Sequence, residues 1–133
     1  MEITNKKAKF NYEFIDTYIT GIVLHGIEIK AIREGKASIS EAYCYFVGDE
    51  LFLKNGIISS TAEDRKLLLN RSELNRIKSA INIKGMTVVP YKMFINDKGF
   101  CKLEIAVAKG KKTYDKRETI KKRDIERDMK RNL

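Results

Sequence analysis

Residues 87–107, which read TVVPYKMFINDKGFCKLEIAV, carry the clearest structural signal in the sequence. Two arms rich in β-branched and aromatic residues, 87–95 and 100–107, flank the polar turn Asn96-Asp97-Lys98-Gly99, and this pattern predicts an antiparallel hairpin. Pro90 lies inside the first arm. Because proline cannot donate a ladder hydrogen bond, we expect either an edge strand or a β-bulge at that position.

Outward from this hairpin, residues 12–18, 43–47 and 51–53 also have the composition of β-strands. The last two flank a short loop that contains Gly48, so a second hairpin is expected, with a positive φ at that glycine. Residues 21–35 are ambiguous. The alternation of Ile27 and Ile29 suits a strand, whereas wider apolar spacing suits a short helix, and the pattern leaves both open.

One helix is predicted more firmly, because it has a start signal and an apolar face. Asn70 and Glu73 have the spacing of a capping box. Leu74, Ile77 and Ile81 then mark one face of a helix of about three turns that ends near Gly85.

The elements together predict a mainly β fold with short helices, of the α+β class. We expect an OB-like antiparallel β-barrel with flanking helices, since closure of a sheet removes its exposed strand edges. The length of 133 residues suits one such domain. We assign residues 1–108 to the barrel, with a basic N-terminal arm at Lys6, Lys7 and Lys9, and residues 109–133 to a basic C-terminal tail.

The charge of the chain points to a polyanionic partner. The net charge is +9, and residues 109–133 alone hold 11 basic and 5 acidic side chains. A basic balance of this size is typical of nucleic-acid binding. The apolar residues of the tail, Ile120, Ile125 and Met129, form only a thin stripe, so we expect a tail that is mobile when free and ordered against a partner.

The sequence does not support several classes of protein, namely membrane, secreted, metal-binding and catalytic proteins. It has no apolar run long enough for a membrane span and no apolar signal core at its start, which leads us to expect a cytoplasmic protein with reduced Cys44 and Cys101. His25 is the single histidine, so no metal cluster is expected. We assign no catalytic residue and no cofactor, and we expect a monomer.

Glu28 and Glu104 are the carboxylates that stand out, since each has an isoleucine or leucine on both sides. Each is either a solvated residue on an open face or an acceptor for the N–H groups of RNA bases. The run Lys109-Gly110-Lys111-Lys112 directly after a predicted strand is a clearer RNA signal, because glycine lets the backbone approach a phosphate closely.

Several strings of the sequence, taken in order, resemble the SmpB family of SsrA-binding proteins. The resemblance covers nearly the whole chain and is most specific where AKGKK is followed by DKR. The matching strings are NKKA at 5–8, GIVL at 21–24, GIEIK at 26–30, REGK at 33–36, RKLLL at 65–69, GMTVVP at 85–90, KLEIAVAKGKK at 102–112 and DKR at 115–117. One departure is Phe10, where the family usually has histidine.

The resemblance implies an OB-like β-barrel that binds the tRNA-like domain of transfer-messenger RNA (tmRNA). With elongation factor Tu and GTP, the loaded RNA is delivered to a stalled 70S ribosome, where the protein's tail enters the empty mRNA channel beside the decoding centre and becomes helical. The nascent chain is then tagged in trans-translation, and the protein itself makes or breaks no bond.

The resemblance also implies roles for individual residues. The RNA-binding residues would be Asn5, Glu28, Leu68, Lys102, Lys109, Lys111 and Lys112. The residues of the tail that act on the ribosome would be Asp115, Lys116 and Arg117, and the basic run Lys121, Lys122 and Arg123 extends that segment. The alternative function is a basic OB-like ribosomal protein bound to rRNA, which the charge of the chain fits equally well.

Overall fold

The hairpin predicted at residues 87–107 is the centre of the computed structural model, which describes residues 2–58 and 63–111. Its turn is closed by Asn96, whose Oδ1 accepts hydrogen bonds from the backbone N–H groups of Lys98 and Phe100, and Gly99 has a φ of 83°. The register between the two arms shifts after Pro90, which confirms the bulge. The edge-strand alternative is wrong, because a further strand pairs with the first arm on its other side.

The described residues form nine strands and three helices. In chain order they are β1 Glu2–Thr4, α1 Lys6–Asn11, β2 Tyr12–Ile22, α2 Gly26–Arg33, β3 Ala37–Ser38, β4 Tyr43–Val47, β5 Glu50–Lys54, β6 Ile57–Ile58, β7 Arg65–Leu68, α3 Arg71–Ile81, β8 Met86–Ile95 and β9 Cys101–Gly110. This confirms a mainly β fold with short helices.

Seven of these strands form one antiparallel sheet in the order β1-β8-β9-β2-β7-β5-β4, and β3 pairs with β6 separately. The sheet curls until β4, at one end of that order, packs against β8, next to the other end. Between β4 and β8 the described residues form no hydrogen-bonded ladder. The sheet therefore has the curvature of a barrel, with that one seam held by side-chain packing.

Side chains alternate along β9 and define the two faces of the curled sheet. Cys101, Leu103, Ile105 and Val107 are almost fully buried and face the main core, on what we call the inner face. Lys102 and Glu104 point to the opposite side, the outer face. Further along the outer face, Ala106 and Ala108 are covered by Ala8 of α1, which makes a second, smaller core.

Three sequence predictions are settled by local geometry. Gly48 has the expected positive φ, in the turn between β4 and β5. The capping box at α3 is formed, with the Glu73 N–H donating to Asn70 Oδ1 at 2.8 Å and the Asn70 N–H donating to Glu73 Oε1 at 3.2 Å. Of the two alternatives for residues 21–35, the helix is right for the stretch that forms α2.

The ends of the predicted domain differ from the structure. The segment expected as a basic arm forms β1 and α1 instead, and it is integrated into the sheet because β1 pairs with β8. At the other end β9 continues to Gly110, so Lys109 belongs to a strand of the domain. The remaining tail residues, including Lys112, Asp115, Lys116, Arg117, Lys121, Lys122 and Arg123, lie outside the described residues, and so do residues 59–62.

Candidate nucleic-acid interface

Two of the predicted RNA-binding residues meet on the outer face. Gly21 on β2 lies in register with Leu68 on β7 and with Lys102 on β9, so the three form a row across adjacent strands. A Cβ atom placed on Gly21 would lie 3.4 Å from Leu68 Cβ and 3.8 Å from Lys102 Nζ. The ammonium group therefore lies over the bare glycine, next to a leucine side chain that is 46% exposed. We call these three residues the Lys102 patch.

A shallow cavity of about 390 Å³ lies elsewhere, between α1 and residues 40–43, whereas a cavity of about 360 Å³ opens beside the Lys102 patch. The second cavity is lined by Val23, Leu24 and Phe100 as well as by the patch itself. Val23 and Phe100 are 75% and 62% exposed. This surface combines exposed apolar side chains with an ammonium group that no described side chain pairs, and the combination suits phosphate contact together with base stacking.

Glu28 does not join the Lys102 patch. Its carboxylate Oε2 lies 2.6 Å from Arg65 Nη1, and its Oε1 accepts the His25 backbone N–H at 3.1 Å, which ties the first turn of α2. The side chains of Glu28 and Arg65 are only 14% and 6% exposed. Arg65 faces the inner side of β7, opposite to Leu68, so this ion pair supports the patch from beneath rather than forming its surface.

Sequence reasoning missed Arg65, because nothing in the string RKLLL distinguishes a buried arginine from its exposed neighbour Lys66. A useful signal was the alternation of the strand: with Leu67 in the core, the residue two positions earlier must face the core as well. A charge at such a position needs a partner.

Asn5 is also buried, at 5% exposure. Its side-chain amide donates to the Pro90 carbonyl at 3.1 Å, and its backbone N–H donates to the Tyr91 carbonyl at 2.7 Å. These are the carbonyls at the bulge of β8, where the regular ladder is interrupted. Asn5 therefore connects β1 to α1 and holds the bulge.

A second basic region extends along the outer face from Lys92 towards α1. Phe14 and Tyr91 pack edge to face with ring centroids 5.2 Å apart. Lys9 Nζ and Lys92 Nζ lie 5.1 and 5.3 Å from the Tyr91 ring centroid. Two ammonium groups beside one aromatic pair suit contact with an unpaired nucleotide.

The predicted residues Lys109 and Lys111 lie at the same end of the sheet. Both are exposed, and Lys111 Nζ lies 6.0 Å from the ring centroid of Phe10, which is itself 57% exposed. The Lys111 backbone N–H donates to the Asn11 carbonyl at 3.0 Å, so the chain leaves β9 alongside the end of α1.

Catalytic chemistry finds little support in the described residues. They contain no group of three or more His, Cys, Asp or Glu side chains placed to hold a metal ion. Burial raises the pKa of the Cys44 thiol, and it raises that of the Cys101 thiol to about 11, so neither is a ready nucleophile. His25 is exposed and precedes the first turn of α2. Within the same residues, no helix is long and apolar enough to span a membrane.

Comparison with known proteins identifies the family to which this chain is related. A family model described as SmpB protein matches residues 2–133. The SsrA-binding protein of Phocaeicola vulgatus is 52% identical over 141 aligned positions, which cover 98% of this chain and 94% of that protein. The SsrA-binding protein of Agrobacterium fabrum is 50% identical, over 97% of this chain and 87% of that protein.

A solved structure agrees with the sequence relatives. The fold is similar to a chain described as "tmRNA-SmpB: a journey to the center of the bacterial ribosome", with a TM-score of 0.68 and 34% identity over 87% of this chain and 88% of that one. Since the family model spans almost every residue and relatives match about half of them, the chain belongs to the SmpB family.

Proposed function

We propose that this protein binds the tRNA-like domain of tmRNA and helps to deliver that RNA to stalled ribosomes for trans-translation. The names of its relatives, SsrA-binding proteins, support this proposal. The observation that carries it is the Lys102 patch: a lysine free of any ion pair within the described residues, placed over Gly21 and beside exposed Leu68, in a chain of this family.

The patch acts through two kinds of contact. The Lys102 ammonium group neutralises a backbone phosphate, which supplies affinity but no sequence information. Leu68 and the neighbouring Phe100 offer apolar surface to a base or sugar that is not stacked inside a helix. Glu28 and Asn5 act indirectly, by holding α2 against β7 and α1 against β8.

The second basic region serves the ribosome-bound state. Lys9 on α1 and Lys109 and Lys111 at the end of β9 lie apart from the Lys102 patch along the sheet, so they can meet a second RNA surface while the first stays occupied. Lys112 continues this run. The tail residues Asp115, Lys116 and Arg117 and the basic run Lys121, Lys122 and Arg123 then enter the mRNA channel, beside the decoding centre.

The role is one of recognition and placement. It requires no catalytic residue, cofactor or metal, and we assign none. We also propose that the chain acts as a monomer in the cytoplasm, where the ribosomes are, and that it meets elongation factor Tu with GTP through the shared RNA.

Competition binding at a fixed salt concentration of about 150 mM potassium tests the proposal, because salt sets the affinity of such complexes. Labelled tRNA-like domain competes with an unrelated hairpin of equal length. The wild-type chain should prefer the tRNA-like domain strongly. Lys102→Ala should weaken binding about tenfold, the value of one lost charge-assisted contact. Lys84→Ala, which removes an exposed lysine after α3, is the matched control and should bind like the wild type.

Equal affinity for the two RNAs would overturn the proposal. It would then favour the alternative of a basic ribosomal protein bound to rRNA, which predicts in addition that the protein stays on ribosomes through a high-salt wash.

A further inference from the structure

Glu104 lies on the outer face beside the Lys102 patch, and the proposed function gives it no role. It is directly opposite Ile19 on β2 and Lys92 on β8, and it lies two residues after Lys102 on β9. Cross-strand partners project to the same side of a sheet, with Cβ atoms about 5 Å apart. The four side chains therefore form one continuous surface.

The carboxylate of Glu104 has no hydrogen bond and no ion pair to any other described residue. Its natural partner is Lys92, but that ammonium group lies 3.7 Å from Glu2 Oε2 and over the Tyr91 ring instead. Glu104 is half-buried. Because no described group donates to them, both carboxylate oxygens remain available to N–H groups of a ligand.

The surroundings narrow the chemistry of that ligand. A carboxylate between Lys92 and Lys102 repels phosphates, so on an RNA-binding face its partners are the N–H donors of bases or the 2′-hydroxyl groups of riboses. Ile19 is 51% exposed and offers an apolar side chain against which a base can pack. Among the four bases, unpaired guanine has two adjacent N–H donors, at N1 and N2, which match the two oxygens of a carboxylate.

We propose that Glu104 determines specificity by accepting two hydrogen bonds from an unpaired guanine of the bound RNA, while Lys102 and Lys92 contact the flanking phosphates. This inference rests on the proposed function. It adds base recognition to a surface whose other polar groups contact only the backbone.

Glu104→Gln tests the proposal in the full-length chain, with the same competition between tRNA-like domain and unrelated hairpin. Glutamine keeps the size but loses one acceptor, so affinity for the tRNA-like domain should fall about tenfold, the discrimination that one bidentate contact supplies. Affinity for the hairpin should stay equal or rise, because a negative charge has been removed. Glu41→Gln is the control: it removes an equal charge from an exposed carboxylate that pairs with Lys7, and it should preserve the preference.

A second measurement identifies the base. Unpaired guanosines of the tRNA-like domain are replaced one at a time by inosine, which lacks the N2 amino group. One replacement should weaken wild-type binding and have no further effect on Glu104→Gln. The inference is overturned if Glu104→Gln tightens binding to both RNAs equally, which is simple loss of repulsion, or if it keeps the wild-type preference. Absence of any preference in the wild-type chain would instead contradict the proposed function.

Discussion

Gly21 controls the shape of the Lys102 patch, because it leaves room for a lysine side chain to lie across β2. The space above it ends at Leu68 Cδ1, 3.5 Å from where a Cβ atom would be, and at Lys102 Nζ, 3.8 Å away. Alanine fits at ordinary contact distance, whereas valine adds two methyl groups that must displace either neighbour. Valine suits a strand, so the fold itself should tolerate the change.

We therefore expect Gly21→Val to weaken binding of the tRNA-like domain about tenfold, as loss of the Lys102 contact would. Gly21→Ala should bind within about twofold of the wild type, since no neighbour has to move. Thermal unfolding checks that both variants are folded. Equal binding by the valine variant and the wild type would show that the position of the lysine over Gly21 does not matter.

The two thiols should be inert in the folded state. Burial raises the pKa of Cys101 to about 11, against a smaller lowering by Arg65, and burial also raises the pKa of Cys44. A thiol with a raised pKa is protonated at neutral pH, and the thiolate is the reactive species. Iodoacetamide at pH 7.5 should thus modify neither cysteine in native protein and both in urea, as measured by intact mass. Rapid modification of either one without denaturant would contradict this.

At the scale of elements, the Arg65–Glu28 pair joins α2 to β7 behind the Lys102 patch. Removing one member of a buried pair leaves an uncompensated charge, which typically costs about 3–5 kcal/mol. Arg65→Met should lower the free energy of unfolding by that amount in urea titrations. Arg65 Nε and Nη2 have no hydrogen-bond partner among residues 2–58 and 63–111, so the pair is incompletely satisfied within that part of the chain. The double variant Arg65→Met/Glu28→Leu should for that reason recover most of the lost stability.

The same two variants distinguish an indirect role of Glu28, in which it holds α2 in place, from direct contact with the RNA. If Glu28 acts by holding α2, the double variant should bind the tRNA-like domain within about threefold of the wild type once fully folded, a difference near 0.7 kcal/mol. A large loss of affinity in a fully folded double variant would mean that the Glu28 carboxylate touches the RNA itself.

The elements that sequence could predict are those with local signals. The Asn96–Gly99 turn and the Asn70–Glu73 capping box each lie within four residues, and both are formed as expected. The parts that local signals do not reach depend on distant partners. The RNA-binding role of Asn5 stays a prediction, but no local pattern indicates that its amide donates to the carbonyl of Pro90, far along the chain. The basic segment that follows it forms α1, which packs against β8, and no local pattern encodes that distant contact.

For the candidate interface, too, individual residues could be predicted, but their arrangement in space could not. Lys102 and Leu68 could be named from the resemblance, but only the register of three strands brings them to either side of Gly21. The sequence left the role of Glu104 open, because the environment of its carboxylate depends on Lys92 pairing with Glu2 instead. Which of two carboxylates pairs with a lysine depends on the tertiary structure, and the periodicity of the sequence carries no information about it.

At the scale of the whole molecule, charge separates the folded domain from the tail. Residues 109–133 hold 11 of the 27 basic side chains, although they are less than a fifth of the chain. The Lys102 patch lies wholly within the domain, so binding of the tRNA-like domain and action in the mRNA channel should be separable functions.

Truncation after Tyr114 tests that separation. The shortened chain keeps the Lys102 patch and the run Lys109–Lys112, and it should bind the tRNA-like domain within about threefold of the full-length protein, because the lost lysines and arginines add only salt-sensitive, unspecific attraction. Tagging of nascent chains in a reconstituted translation reaction should be abolished, since Asp115, Lys116, Arg117 and the basic run beyond them are gone. The loss in tagging must persist at RNA and protein concentrations that saturate binding. Full tagging by the truncated chain would show that the folded domain alone is sufficient for action on the ribosome. Weak binding of the tRNA-like domain would show that the tail makes part of the RNA contact.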